Sequence, residues 1–288
     1  AFSQYLSPTV IDQIVENPDM LQLGGEKREM TPFFSDVQGF STISEGLTPE
    51  ELVLLLNEYL TAMCDIISSH HGTIDKFEGD AIIAFWGAPL DQPDHATVAC
   101  YAAIEMQQRN EEMRQMLREQ NRPLLYTRMG LNSGPVVVGN MGSADRMDYT
   151  MMGDVVNLAA RLEGANKFYK TFTMVSGSTY ELAKDDIDSR QLDIIRVVGK
   201  KEPVHVYEVL ARKNETGSEM SGVVEQYLKG LKLYQDRNFA DAVKEFKKVL
   251  DIDPEDGPSL TYVKRCGVFL ETPPEKDWDG VYTFTEKG

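Results

Sequence analysis

The sequence predicts an α+β fold, and three observations carry that expectation. Short apolar runs end in glycine-containing turns, as at residues 30–34 and in the pair 73–77 and 81–86 around Glu78-Gly79-Asp80. Longer stretches with apolar residues three and four apart alternate with them, around 49–70 and 94–118. Past Arg212 the composition changes to a polar stretch followed by a helical pattern, which predicts a small helical appendage.

Residues 1–29 carry a short helical signal, with Ser7-Pro8 opening 10–16 and Leu21-Gln22-Leu23-Gly24-Gly25 reading as a flexible joint. The absence of an initiator Met fits a fragment, so 1–29 is read as a connector from an upstream region. Residues 30–34 form a buried strand, and Asp36-Val37-Gln38-Gly39 turns out of it toward Ser41, Thr42 and Ser44, where a helix can open. Thr48 caps the next helix, with Pro49 in its first position and Glu51 completing a capping box. That helix runs toward His70, with Leu52, Leu55, Leu56, Tyr59, Leu60 and Met63 on its apolar face. His70 and His71 close it before Gly72 and are read as structural. A hairpin over 73–77 and 81–86 and a helix over 94–118 follow. Further strands are expected at 128–132, 136–140, 172–175, 194–198 and 204–209, with a helix starting near Gly153 or Asp154.

Residues 213–222 read as a linker and 223–288 as a helical hairpin with a tail. Gly230, Tyr234, Phe239, Ala242, Phe246, Leu250 and Pro254 have spacings resembling one tetratricopeptide repeat, two antiparallel helices with small residues at their contact. One repeat cannot bury both of its faces, so it is expected to dock on the preceding domain or a dimer partner, with Trp278 anchoring the tail.

The 288 residues, 42% of them hydrophobic, suffice for one good core and a smaller second one. With 29 basic and 46 acidic residues, the net charge of −17 repels nucleic acid and anionic lipid, so neither is an expected partner. No run approaches the ~20 apolar residues of a membrane span. The three cysteines lie far apart without metal-ligand spacing, which fits a reducing cytoplasm, either free or as the cytoplasmic part of a membrane-anchored parent.

Candidate chemistry lies in three segments. Asp36 and Asp80 each stand at a strand end beside a glycine, where two carboxylates can share hard divalent cations. The backbone N–H groups after Gly39, at Phe40 and Ser41, suit a phosphate if a helix opens there. In Gly153-Asp154-Val155-Val156-Asn157-Leu158-Ala159-Ala160-Arg161-Leu162-Glu163, Asn157 and Arg161 share one helix face, with Val156, Leu158, Ala159 and Leu162 on the packing side. An amide beside a guanidinium suits a sugar oxygen and a phosphate.

In this order the chain resembles the class III nucleotide cyclases. The matching pieces are Phe34-Ser35-Asp36-Val37-Gln38-Gly39-Phe40, Lys76-Phe77-Glu78-Gly79-Asp80, the segment from Gly153 to Glu163, and Val198-Gly199-Lys200, within 30–212. The resemblance implies a ferredoxin-like catalytic domain that pairs head to tail as a homodimer, ATP as substrate, and a possible upstream sensor. It implies that Asp36 and Asp80, with the Val37 carbonyl, hold two Mg²⁺ or Mn²⁺ ions per site. It further implies that Lys76 and Thr150 read the purine, Asn157 orients the ribose, Arg161 meets the α-phosphate and Lys200 binds the terminal phosphates. Lys76 can only donate and Thr150 can accept, which suits adenine. Guanylyl cyclases in the family resemble one another in carrying Glu and Cys at those two positions. The implied activity is therefore an adenylate cyclase. The alternatives are an inactive cyclase-like scaffold, a guanylate cyclase, or a diguanylate-forming enzyme, whose Gly-Gly-Asp/Glu-Glu-Phe hairpin signature this chain lacks.

Overall fold

The computed structural model describes residues 15, 23–143, 146–196 and 202–283. Strand β1 (Gly24–Val37) leads into a short helix, α1 (Phe40–Glu45), and then α2 (Pro49–Ser69). The start of α2 follows its sequence cues. The Glu51 N–H donates to Thr48 Oγ1 at 3.3 Å, and the Thr48 N–H donates to Glu51 Oε2 at 2.9 Å. Hairpin β2 (Thr73–Glu78) and β3 (Ala81–Trp86), helix α3 (His95–Glu119) and strand β4 (Thr127–Leu131) complete a β-α-β-β-α-β run. Its strand order is β4-β1-β3-β2, antiparallel throughout, which is the ferredoxin-like arrangement.

Side chains alternate across this sheet. Phe33, Ile82, Ala84, Trp86, Met129 and Leu131 meet Leu55, Tyr59, Met63 and Ala103 from α2 and α3. The residues between them, among them Asp36, Ile83, Phe85 and Arg128, therefore face the opposite side. By length and composition α2 could cross a membrane, yet its Leu55, Tyr59, Met63, Ile66 and Ile67 are buried in the fold.

The front half of β1 pairs with β5 (Gly134–Gly142), which in turn pairs with β6 (Met147–Met152). This arm closes a second cluster of Met30, Ile83, Phe85, Val136, Val138, Met151 and Val156 on the other face. Helix α4 (Asp154–Tyr169) follows, then β7 (Thr173–Ser176), α5 (Gly177–Ala183), β8 (Ile187–Arg196) and β9 (Val204–Arg212). β7 lies parallel to β4 and extends the sheet through β9 and β8.

Several expectations are corrected here. Gly24 and Gly25 are strand rather than joint, because β5 supplies Asn140 and Gly139 as their partners, so β1 runs through the expected boundary at residue 29. β6 and α5 carry too short an apolar pattern to be read as elements, and β8 begins well before residue 194. The helix expected over 10–16 and the strand end at 197–198 lie, apart from Val15, outside the described residues.

Three helices follow, α6 (Ser218–Gln235), α7 (Phe239–Ile252) and α8 (Gly257–Glu271), where a hairpin of two was expected. Helix α6 starts inside the stretch read as linker, because Met220 and Val223 pack into the helical cluster with Tyr227 and Phe246. The helices dock on the edge of the main sheet through polar contacts. The Tyr227 and Tyr262 hydroxyls donate to the Leu192 carbonyl at 3.0 and 2.8 Å. Arg265 Nη1 lies 2.6 Å from Asp193 Oδ2, and Arg190 Nη1 lies 2.7 Å from Asp256 Oδ1, all four side chains being buried. Trp278 anchors the tail edge-on to Tyr234 and Phe269. A last short strand, β10 (Tyr282–Thr283), runs parallel to β8 at the sheet edge.

Candidate active site

Asp36 sits one residue before the end of β1, directly opposite Arg128 on β4. Asp80 closes the β2–β3 turn, where Gly79 takes φ +66, a conformation that disfavours any side chain. The turn folds back so that the Val37 N–H donates to Asp80 Oδ2 at 2.8 Å. This hydrogen bond ties the two strand ends together. Burial pushes the Asp80 carboxyl up, the Val37 N–H pulls it back, and the charge of Asp36 pushes it up again. The two carboxylates therefore repel each other in a half-buried place.

Arg128 answers part of that charge. Its Nη2 lies 3.1 Å from Asp36 Oδ2 and its Nε lies 3.0 Å from Glu163 Oε1 on α4. Sequence reasoning assigned roles to neither Arg128 nor Glu163. The available signal was that both stand within elements already flanking the site, but their meeting depends on the β1–β4 register. No group of three His, Cys, Asp or Glu residues able to hold a metal occurs among the described residues. The donor set is two mutually repelling carboxylates with a main-chain carbonyl available beside them, and these hard oxygens fit Mg²⁺ or Mn²⁺.

Lys76 and Thr150 are brought together by a residue the sequence reading did not single out. The β2–β3 register shifts between Ile74 and Lys76, which leaves Asp75 out of the ladder. Its side chain is 3% exposed, with Lys76 Nζ 3.6 Å from Oδ1. The β5–β6 arm carries Thr150 across to it, and Thr150 Oγ1 donates to Asp75 Oδ2 at 2.6 Å.

Helix α4 opens at Asp154 and buries Val156, Leu158, Ala159 and Leu162, as its pattern requires. Asn157 and Arg161 are exposed on the other face, and among the described residues neither side chain makes a hydrogen bond or ion pair. The helix lies hard against β4. A Cβ on Gly130 would fall 2.1 Å from the Glu163 N and 2.4 Å from the Ala159 O. The Phe40 ring is partly buried and packs against the main core. Ser41 is exposed, and its carbonyl accepts from Ser44 Oγ at 2.7 Å. Lys200 lies outside the described residues.

The structure thus assembles the Asp36/Asp80 pair, the Lys76/Thr150 pair and the Asn157/Arg161 face. Residues 25–211 match the adenylate and guanylate cyclase catalytic domain, and the chain belongs to that family. It is 36% identical over 209 residues to adenylate cyclase 1 of Rhizobium meliloti, covering 73% of this chain and 31% of that protein. It is 35% identical to an adenylate cyclase of Anabaena cylindrica, covering 64% of this chain and 37% of that one. Two solved structures share the fold closely. The adenylyl cyclase CyaB from P. aeruginosa is 40% identical at a TM-score of 0.62, with 68% of this chain and 100% of that one covered. The guanylyl cyclase Cya2 is 38% identical at 0.61, with 68% and 98% covered. The chain spans well under half the length of the curated relatives it matches.

Proposed function

We propose that this chain is an adenylate cyclase that converts ATP to 3′,5′-cyclic AMP and pyrophosphate at composite sites of a head-to-tail homodimer. Likeness alone reaches both adenylyl and guanylyl cyclases, so the choice of base rests on the pocket. The observation that carries it is the convergence of Lys76 and Thr150 on the buried Asp75. Lys76 offers a donor to adenine N1, and the Thr150 oxygen offers an acceptor to the N6 amino group.

In the proposed reaction the ribose 3′-oxygen bonds to the α-phosphorus, pyrophosphate leaves, and the hydroxyl proton passes to water. Two Mg²⁺ or Mn²⁺ ions, when bound by Asp36, the Val37 carbonyl and Asp80, supply the charge that acidifies the 3′-hydroxyl and neutralises the leaving pyrophosphate. Arg128 and Glu163 hold Asp36 in its orientation. Asn157 orients the ribose, Arg161 meets the charge growing on the α-phosphoryl oxygens, and Lys200 binds the terminal phosphates. Asp36 serves as a ligand, so no side chain has to act as general base.

The Asn157/Arg161 face, exposed and without partners among the described residues, supports a composite site. So do Val137 and Met152, which oppose each other across β5–β6 at 42% and 56% exposure and give the arm an apolar edge suited to a second copy. Three free cysteines, Cys100 and Cys266 buried among them, suit a reducing cytoplasmic setting, as the whole protein or as the cytoplasmic part of a parent with an upstream sensor. The test is a side-by-side assay of purified protein with ATP or GTP and Mn²⁺. Cyclic AMP formation with a higher kcat/KM for ATP is the expected result. A GTP rate that equals or exceeds the ATP rate refutes the substrate, and no product from either nucleotide refutes the enzyme.

A further inference from the structure

Asp75 is a buried carboxylate that the reaction itself does not use. Its Oδ2 takes the Thr150 hydroxyl at 2.6 Å, while its buried Oδ1 has no close hydrogen bond and faces the Lys76 ammonium at 3.6 Å. Burying a carboxylate costs stability even when it is partnered, and a threonine facing an apolar residue would cost less. Its value therefore has to lie in what it does to its neighbours. Burial raises the Asp75 carboxyl above its ordinary value, and Thr150, Lys76 and the Met151 backbone, which favour the charged form, offset part of that rise.

A hydroxyl has one proton and two lone pairs, and an ionised carboxylate can only accept. The Thr150 proton is therefore committed to Asp75, which leaves lone pairs as all that Thr150 can offer a ligand. Lys76, 44% exposed and 3.6 Å from Asp75, has only protons to offer. The pocket then presents one fixed donor and one fixed acceptor. Adenine complements that array with the N1 acceptor and the N6 donor. Guanine presents an O6 acceptor where adenine has its amino group and an N1–H donor where adenine accepts. A threonine free to rotate could donate to O6 and tolerate guanine.

We propose that Asp75 is a positioning residue that sets base specificity: by holding the Thr150 proton it makes that hydroxyl a pure acceptor, so the pocket reads the N6 amino group. This rests on Lys76 and Thr150 contacting the base, as proposed above.

The test compares wild type with Asp75→Asn, whose amide can donate to Thr150 and release its proton, and with Asp75→Ala, which removes the acceptor. Each is assayed with ATP, GTP and purine riboside triphosphate, the analogue of ATP that lacks the N6 amino group. Loss of one such hydrogen bond predicts that both variants lower the ATP-over-GTP ratio of kcat/KM about tenfold. The preference for ATP over the purine analogue should shrink by a similar factor. In a Thr150→Ala background, Asp75→Asn should leave both ratios unmoved, since the residue it acts through is gone. All three substrates are measured on one preparation, so any loss of folded protein cancels from the ratios. Equal losses on all three substrates, or ratio changes that persist without the Thr150 hydroxyl, overturn the inference and leave Asp75 as a structural tie. A wild type that prefers GTP refutes the adenylate cyclase reading itself. A wild type that prefers ATP, with ratios unmoved in both variants, refutes only the role of Asp75.

Discussion

Asp36 and Glu163 share one counter-ion: Arg128 reaches the first with Nη2 at 3.1 Å and the second with Nε at 3.0 Å. One guanidinium does not balance two carboxylates in a half-buried place. Glu163 shows the consequence. Its carboxyl is raised from 4.5 to about 7, chiefly by burial, with Arg128 pulling it down and the charge of Asp36 pushing it up.

A pH dependence follows from that imbalance. Between pH 4.5 and about 7 the folded protein keeps a proton on Glu163 that the unfolded chain has released. The contribution is therefore fully present below pH 4.5 and is lost as pH rises through about 7. In metal-free protein, wild type should lose on the order of 2–3 kcal/mol relative to Glu163→Gln across that window. Urea unfolding of both proteins at a series of pH values measures the difference, and a flat difference refutes the assignment.

The packing of α4 on β4 gives a second expectation. Gly130→Ala places a carbon 2.1 Å from the Glu163 N, and the obstacle is helix backbone that cannot rotate away. Helix α4 must shift, at a cost of about 1–3 kcal/mol. It carries Asn157 and Arg161, so kcat should fall on the order of 100-fold, as it does for displacements near 1 Å. Gly222→Ala, on α6 with nothing within 4 Å of the added carbon, is the control and should leave kcat unchanged. Wild-type kcat in Gly130→Ala would show that α4 is not held by this contact.

These two cases show what the sequence made legible. The places of Asp36 and Asp80 at the strand ends could be read because each stands near a glycine at the end of an apolar run, a pattern local to a few residues. The capping box of Thr48 and Glu51 is local in the same way, and the structure reproduces it. Arg128 and Asp75 escaped because their partners lie 35 to 92 residues away and are chosen by strand register and a bulge. Strand β6 escaped for a related reason. Met147–Met152 has little alternation of its own, and pairing with β5 makes it a strand. The third C-terminal helix was not expected because the spacings from Gly230 to Pro254 were those of a single two-helix repeat; Gly257 and Pro258 open it, capped by the Asp256 side chain.

The docking of the C-terminal helices should depend on Arg265. Its pair Asp193 is buried and also accepts from the Tyr169 hydroxyl at 2.6 Å. Arg265→Ala leaves that carboxylate without its cation and should destabilise by about 3–5 kcal/mol. Adding Asp193→Ala removes the stranded charge, so the double variant should lose less than the sum of the two single ones. Chemical denaturation of the four proteins gives the coupling, and strict additivity would show that the pair is not a unit.

The assembly of the site gives the sharpest expectation. If two copies pair head to tail, each site takes Asp36 and Asp80 from one copy and Lys76, Thr150, Asn157, Arg161 and Lys200 from the other. Activity should then rise faster than linearly with protein concentration near the dimer dissociation constant. Asp36→Ala and Arg161→Ala should each be nearly inactive alone. In a mixed dimer one site carries both lesions, while the other takes its carboxylates from the Arg161 variant and its arginine from the Asp36 variant. Random pairing makes about half of the dimers mixed, each with one intact site of two, so mixing should restore up to roughly a quarter of wild-type activity. Arg161 is exposed and has no hydrogen-bond or ion-pair partner among the described residues, which suits this arrangement. Two folded variants that stay inactive after verified subunit exchange would place the whole site within one chain.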